Sequence, residues 1–106
     1  MEFLRLNLGG LRCPDVMGRI LKGLRLLEES DNQHLVIETV EPSAERDLKA
    51  AIFKEHGLTL RCIESQCEPL TPEIKAQLIS DDPLLTYEDL NDVEVKYTHL
   101  ISKVII

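Results

Sequence analysis

Apolar residues in this chain alternate between the spacing of a strand and the spacing of a helix. Leucines at every second position from Leu4 to Leu8 predict a strand with one buried face. Apolar residues then recur at three- and four-residue intervals from Val16 to Leu27, which predicts an amphipathic helix. A second strand is predicted at 34–40, followed by a second helix that Glu41-Pro42-Ser43 opens and Gly57 ends, and a third strand near 58–65.

This order of elements restricts the fold class. A last strand is predicted near 93–104, where β-prone residues return. Two β-α-β units need right-handed crossovers, which place both helices on the same face of one sheet. We therefore expect an α/β (α+β) two-layer sandwich of order β-α-β-α-β-β, with a mixed four-stranded sheet and both long helices on one face. The 106 residues are expected to form a single domain, 1–106.

An acidic segment, residues 68–92, lies between the third and last predicted strands and is called the insertion below. With Glu94 it contains eight acidic residues and one lysine, which account for the whole net charge of −7. Because prolines interrupt it, we expect one or two short helices there, with the acids in water. Without a basic footprint, no direct nucleic-acid binding is expected. The apolar residues predicted to anchor the insertion are Leu70, Ile74, Leu78, Leu85 and Leu90.

Three cysteines and three histidines are the remaining candidates for chemistry. The number of cysteines is odd, and their spacing is not that of a disulfide-bonded fold, so free thiols in a reducing compartment are indicated. A cytoplasmic location is therefore expected. No apolar run reaches the roughly 20 residues of a membrane span, and no signal-peptide pattern is seen. No metal and no cofactor are expected, because His and Cys do not match zinc spacing. Cys62 continues the alternation of Leu58 and Leu60 and is predicted to be buried with them. Cys67 lies past the end of that predicted strand, where it is expected to be exposed, and is a candidate resolving thiol for Cys13.

Cys13 and Pro14 lie at the junction between the first strand and the first helix. Proline is favoured at the first helical position, so Pro14 is predicted to begin a helix that ends near Leu27 or Glu28. Cys13 would then be the cap, where free N–H groups and the helix dipole favour the thiolate. Such positions lower thiol pKa values to about 3.5–7.5. Cys13 is therefore the predicted reactive group.

Two stretches of the chain carry a family resemblance. The run from Leu6 to Pro14 resembles the glycine turn and Cys-Pro-x-Pro motif of the TusA/SirA family of small sulfur-carrier proteins. The run from Glu41 to Leu48 resembles that family's Asp-Pro-x-x-x-x-Asp-Ile entry into its second helix. The chain departs from the family in having Val16 in place of the second proline, and in the length of the insertion. The resemblance implies a last strand that lies between the second and third strands and runs antiparallel to them.

The resemblance also implies a function. Cys13 would accept a sulfane sulfur from a protein donor, a cysteine desulfurase persulfide, and pass it to a protein acceptor in tRNA thiolation or related sulfur metabolism. Arg12 and Arg19 would favour the thiolate, whereas Asp15 would oppose it while stabilising the helix start. The alternative is a binding or regulatory module with the same fold that recognises a basic partner through the insertion. The supporting residues are Gly10, Arg12, Pro14, Asp15, Arg19 and Asp47, the last bracing the second helix. The sequence does not determine the oligomeric state.

Overall fold

The computed structural model describes residues 3–12, 15–56 and 59–104. Four strands and three helices occur in the predicted order within these ranges. They are β1 (Phe3–Asn7), α1 (Asp15–Glu29), β2 (His34–Thr39), α2 (Ala44–His56), β3 (Leu60–Pro69), α3 (Pro72–Asp81) and β4 (Val95–Lys103).

The four strands form one mixed sheet in the order β1-β2-β4-β3. β1 pairs with β2 in parallel, and β4 runs antiparallel to both of its neighbours, β2 and β3. The predicted position and direction of the last strand are therefore confirmed. Leu4 pairs with Leu35, which in turn pairs with Ile101, so these three apolar side chains share one face of the sheet.

Both long helices pack on that face, as predicted for two right-handed β-α-β units. Their apolar stripes and the inward side chains of the sheet form one core. Burial of this kind contributes about 25 cal/mol per Å² of apolar surface, which makes it the main stabilising term of the fold. The core residues are Leu8, Val16, Ile20, Leu24, Leu27, Leu35, Ile37, Ala44, Leu48, Ile52, Leu60 and Ile101.

β3 ends four residues beyond the stretch near 58–65 that the sequence predicted. From Ile63 to Pro69 its side chains are exposed, so this half of the strand has no alternation of buried and exposed residues. The length comes instead from pairing with β4, which continues to the Pro69–Val95 pair. β3 is an edge strand, where proline is tolerated because one side of the strand has no pairing neighbour. The first two residues of the insertion therefore belong to β3.

The remainder of the insertion packs around a small second core. α3 is its single helix, and Thr71 caps it by accepting a 3.2 Å hydrogen bond from the Ile74 amide. Thr86 and Asp89 make the reciprocal hydrogen bonds of a capping box, but only turns follow them. All five predicted anchors pack as expected. The second core consists of Val40, Leu70, Leu78, Leu90 and Val93, with Ile74, Ile79 and Leu85 against it.

No helix in the described ranges is long and apolar enough to cross a membrane.

Candidate functional site at the loop between β1 and α1

A tight turn connects β1 to the segment that precedes α1. Gly9 has a φ of +53°, a left-handed conformation that costs other residues about 1–2 kcal/mol. The Asn7 side-chain oxygen accepts a 3.0 Å hydrogen bond from the Gly9 amide, and the Leu8 carbonyl accepts another from the Leu11 amide, also 3.0 Å. The Leu8 amide donates to the Glu38 carbonyl of β2 at 2.8 Å. The turn is therefore held both by its own side chains and by the sheet.

Part of the insertion packs directly on this turn. A Cβ atom at Gly10 would lie 2.7 Å from both terminal carbons of Leu85, and one at Gly9 would lie 4.0 Å from Leu78. Leu85 and Leu78 both belong to the second core or pack against it. The insertion is thus one wall of the site; the sequence predicted its apolar anchors but not their contact with this turn.

Arg12, the residue before Cys13, bridges two distant carboxylates. Its Nε atom lies 3.3 Å from Glu41 Oε1, and its Nη1 atom lies 3.7 Å from Asp92 Oδ1. Glu41 is only 8% exposed, and its second carboxylate oxygen accepts a 3.1 Å hydrogen bond from the Ser43 amide. These ion pairs orient the Arg12 side chain. They also neutralise its positive charge, which was expected to favour the Cys13 thiolate.

The helical hydrogen bonding of α1 extends back to Arg12. The Val16 amide donates to the Arg12 carbonyl at 3.2 Å, and Asp15 is exposed in the first turn of the helix. The predictions that Cys13 caps the helix, that its sulfur is exposed and that Pro14 is the first helical residue fall on two residues outside the described ranges. The structure describes the two flanking residues, Arg12 and Asp15.

A surface cleft of about 370 Å³ opens beside the glycine turn. Arg19 of α1 lines it, together with Asp81 and Asp82 at the end of α3. The cleft thus carries one positive and two negative side chains. Its other lining residues are Leu6, Asn7, Leu8, Gly9, Gly10, Leu11 and Leu78.

The remaining predicted residues lie away from this loop. Asp47 is in the first turn of α2, where its amide donates to the Ser43 carbonyl and its carboxylate pairs with Arg46 at 3.2 Å. A carboxylate in the first turn interacts favourably with the helix dipole, and the predicted bracing role of Asp47 stays a prediction. Cys67 is exposed on β3, opposite Tyr97 of β4. The described residues contain no group of three or more His, Cys, Asp or Glu side chains arranged to hold a metal ion.

Comparison with family models, with curated proteins and with solved structures found no match. The assignment of a function therefore depends on the residues of this chain and their arrangement.

Three residues that organise the loop were not among the predicted site residues. Glu41 lies within the second motif, as its acidic first residue, so the sequence offered a signal for it. Asp92 and Leu85 belong to the insertion and reach the loop only through tertiary packing. Their contacts with Arg12 and Gly10 have no counterpart in local sequence spacing.

The glycine turn can be tested with a matched pair of substitutions. Gly9→Ala should lower the free energy of unfolding by about 1–2 kcal/mol, because alanine is strained at a φ of +53°. Gly18→Ala should raise the free energy of unfolding by about 0.5–1 kcal/mol, because Gly18 is exposed on α1 and an added Cβ atom would have open space around it. Urea denaturation measures both changes. Equal effects of the two substitutions would contradict the turn geometry.

Proposed function

We propose that this chain is a sulfur carrier that holds a sulfane sulfur as a persulfide on Cys13. The observation that carries the proposal is the sequence from Gly9 to Pro14, a glycine turn leading to Cys-Pro at the entrance of α1. Exposed, activated thiols suit this chemistry, because the thiolate is the nucleophile in sulfur exchange. The acceptor in this proposal is a protein of tRNA thiolation or a related branch of sulfur metabolism.

Features of the described loop support the proposal. The turn is held to β2, and Arg12 is oriented by Glu41 and Asp92, so the segment leading to Cys13 is anchored on its N-terminal side. α1 anchors the other side, starting from Asp15. A nucleophile needs such positioning, since precise orientation of the reacting group lowers the barrier to transfer. The cleft beside the turn offers space for a donor or acceptor segment.

The transfer is a displacement at sulfur. The Cys13 thiolate attacks the terminal sulfur of a donor protein's cysteine persulfide, and a new sulfur–sulfur bond forms as the bond within the donor persulfide breaks. The donor cysteine leaves as a thiolate and takes up a proton. Cys13 then carries the added sulfur, which an acceptor thiolate removes by the same exchange. No external oxidant or reductant is needed for either step.

Incubation with a cysteine desulfurase and cysteine tests this function. We expect the intact mass to increase by one sulfur atom, and we expect peptide mapping to place that sulfur on Cys13. Reductant should reverse the gain. A chain that gains no sulfur, or gains it on Cys62 or Cys67, would contradict the proposal.

A further inference from the structure

A second thiol site lies on the helix-covered face of the sheet, at its β3 edge. Cys62 and Ser65 of β3 line a cleft of about 220 Å³ together with Glu45 and Lys49 of α2. Cys62 packs against the main core, as the sequence predicted, but it is only half-buried because it also lines this cleft. The reason is that β3 is an edge strand, which α2 covers only in part.

A β-bulge brings the reactive side chains of this cleft together. In a regular strand, residues three positions apart point to opposite faces of the sheet. The register shift between Cys62 and Glu64 changes this, because Cys62 pairs with Ile101 and Ser65 pairs with His99. Cys62 and Ser65 therefore share one face.

These side chains form a continuous polar chain. Cys62 Sγ lies 3.7 Å from Ser65 Oγ, and Ser65 Oγ lies 2.9 Å from His99 Nδ1. Lys49 is held 2.9 Å from Glu45, and that ion pair raises the Lys49 pKa, while both Lys49 and Cys62 line the cleft. A cationic side chain therefore lies within electrostatic range of the sulfur.

His99 determines the direction of the hydrogen bonds in this chain. It is 1% exposed, and burial lowers its pKa, so the ring is neutral at pH 7. Its buried Nε2 atom has no hydrogen-bond partner in the described part of the chain. A buried N–H without an acceptor is rarer than a buried acceptor without a donor, which places the ring proton on Nδ1. Nδ1–H then donates to Ser65 Oγ, and the Ser65 hydroxyl proton is free to donate to sulfur.

We propose that Cys62 is a modification site at which small hydroperoxides oxidise the thiol to a sulfenic acid. The sulfur attacks the outer peroxide oxygen, a sulfur–oxygen bond forms and the oxygen–oxygen bond breaks. Sulfur loses two electrons to the peroxide, which leaves as an alcohol or water after taking up the thiol proton. The Ser65 hydroxyl contacts the sulfur before the attack and hydrogen-bonds the sulfenic oxygen after it.

The charges around the cleft favour a small neutral oxidant. Glu45 and Glu64 both line it, so an anionic disulfide would meet two carboxylates and one ammonium group. Hydrogen peroxide carries no charge and is small enough to enter. This proposal is independent of Cys13 and of the sulfur-carrier function.

The test uses the full chain with Cys13 and Cys67 replaced by serine, so that Cys62 is the sole thiol. Hydrogen peroxide should add one oxygen by intact mass, and a cyclic diketone should trap the product as a sulfenic-acid adduct. Ser65→Ala should slow this reaction by about three- to tenfold, because it removes the hydrogen bond between the Ser65 hydroxyl and the sulfur. Ser65→Thr keeps the hydroxyl and should restore the rate, while Ser80→Ala on exposed α3 should leave it unchanged.

Two outcomes would overturn the proposal. One is a Cys62 that forms no trappable adduct while the protein remains folded by circular dichroism. The other is an equal oxidation rate in the Ser65→Ala and Ser80→Ala proteins, since the hydroxyl would then have no part in the reaction.

Discussion

Cys13→Ser should abolish sulfur loading of this chain by a cysteine desulfurase. A serine hydroxyl is almost the same size as the thiol, but its oxygen cannot form a persulfide, so the loss should be complete rather than partial. Intact mass after incubation with desulfurase and cysteine measures it directly. The fold should be unaffected, since the substitution changes one atom.

Cys67→Ser is the matched control for that experiment. Cys67 is exposed on β3, away from the loop between β1 and α1, and its replacement should leave loading at the level of the parent chain. Loading of the Cys13→Ser protein equal to that of the parent would refute the sulfur-carrier function. An intact chain that takes up no sulfur but binds a basic partner would instead support the alternative, a binding module that uses the insertion.

Leu90→Ala should destabilise the protein by about 2–5 kcal/mol, although Leu90 lies in an acidic segment interrupted by prolines. Leu90 is 0% exposed and belongs to the second core with Val40 and Val93, so truncation leaves a cavity between the insertion and the end of β2. For a domain of this size the loss corresponds to a fall in melting temperature of roughly 10–20 °C. Thermal unfolding followed by circular dichroism measures it.

Leu84→Ala provides the comparison within the same segment. Leu84 is 88% exposed, so its truncation should change the free energy of unfolding by no more than about 0.5 kcal/mol. If both substitutions have equally small effects, the insertion is not packed on the domain as the structure describes. A large effect of Leu90→Ala would show that the insertion is part of the folded core. Replacing the whole insertion with a short linker would then expose Val40 and remove the contacts that Leu85 and Asp92 make with Gly10 and Arg12.

The layers of the fold were predictable from local spacing. Alternating leucines from Leu4 to Leu8, and apolar residues at helical intervals from Val16 to Leu27, each indicate an element and its buried face. Two such β-α-β units have one common handedness, so the shared face of the helices followed as well. The position of β4 between β2 and β3 did not follow from spacing; it was predicted from the resemblance to a family.

The candidate site was predictable only in part. Pro14 and the glycines indicate a turn and a helix start because these residues have strong local conformational preferences. The positions of Cys13 and Pro14 lie outside the described ranges, so their predicted roles stay predictions. Arg12 was expected to act on the thiol, yet its charge is paired with Glu41 and Asp92, partners 29 and 80 positions away in the chain.

The sequence by itself determined the order of the elements, their buried faces and the two-layer architecture, because hydrophobic periodicity acts within a few residues. Tertiary structure alone decided the length of β3, its bulge, and the packing of the predicted anchors of the insertion against Val40 and Val93. The same holds for the chain from Cys62 through Ser65 to His99. Pairing with β4 extends β3 through backbone hydrogen bonds that form whatever the exposed side chains are. Contacts between distant segments depend on which side chains meet after folding, and residue spacing along the chain carries no record of that.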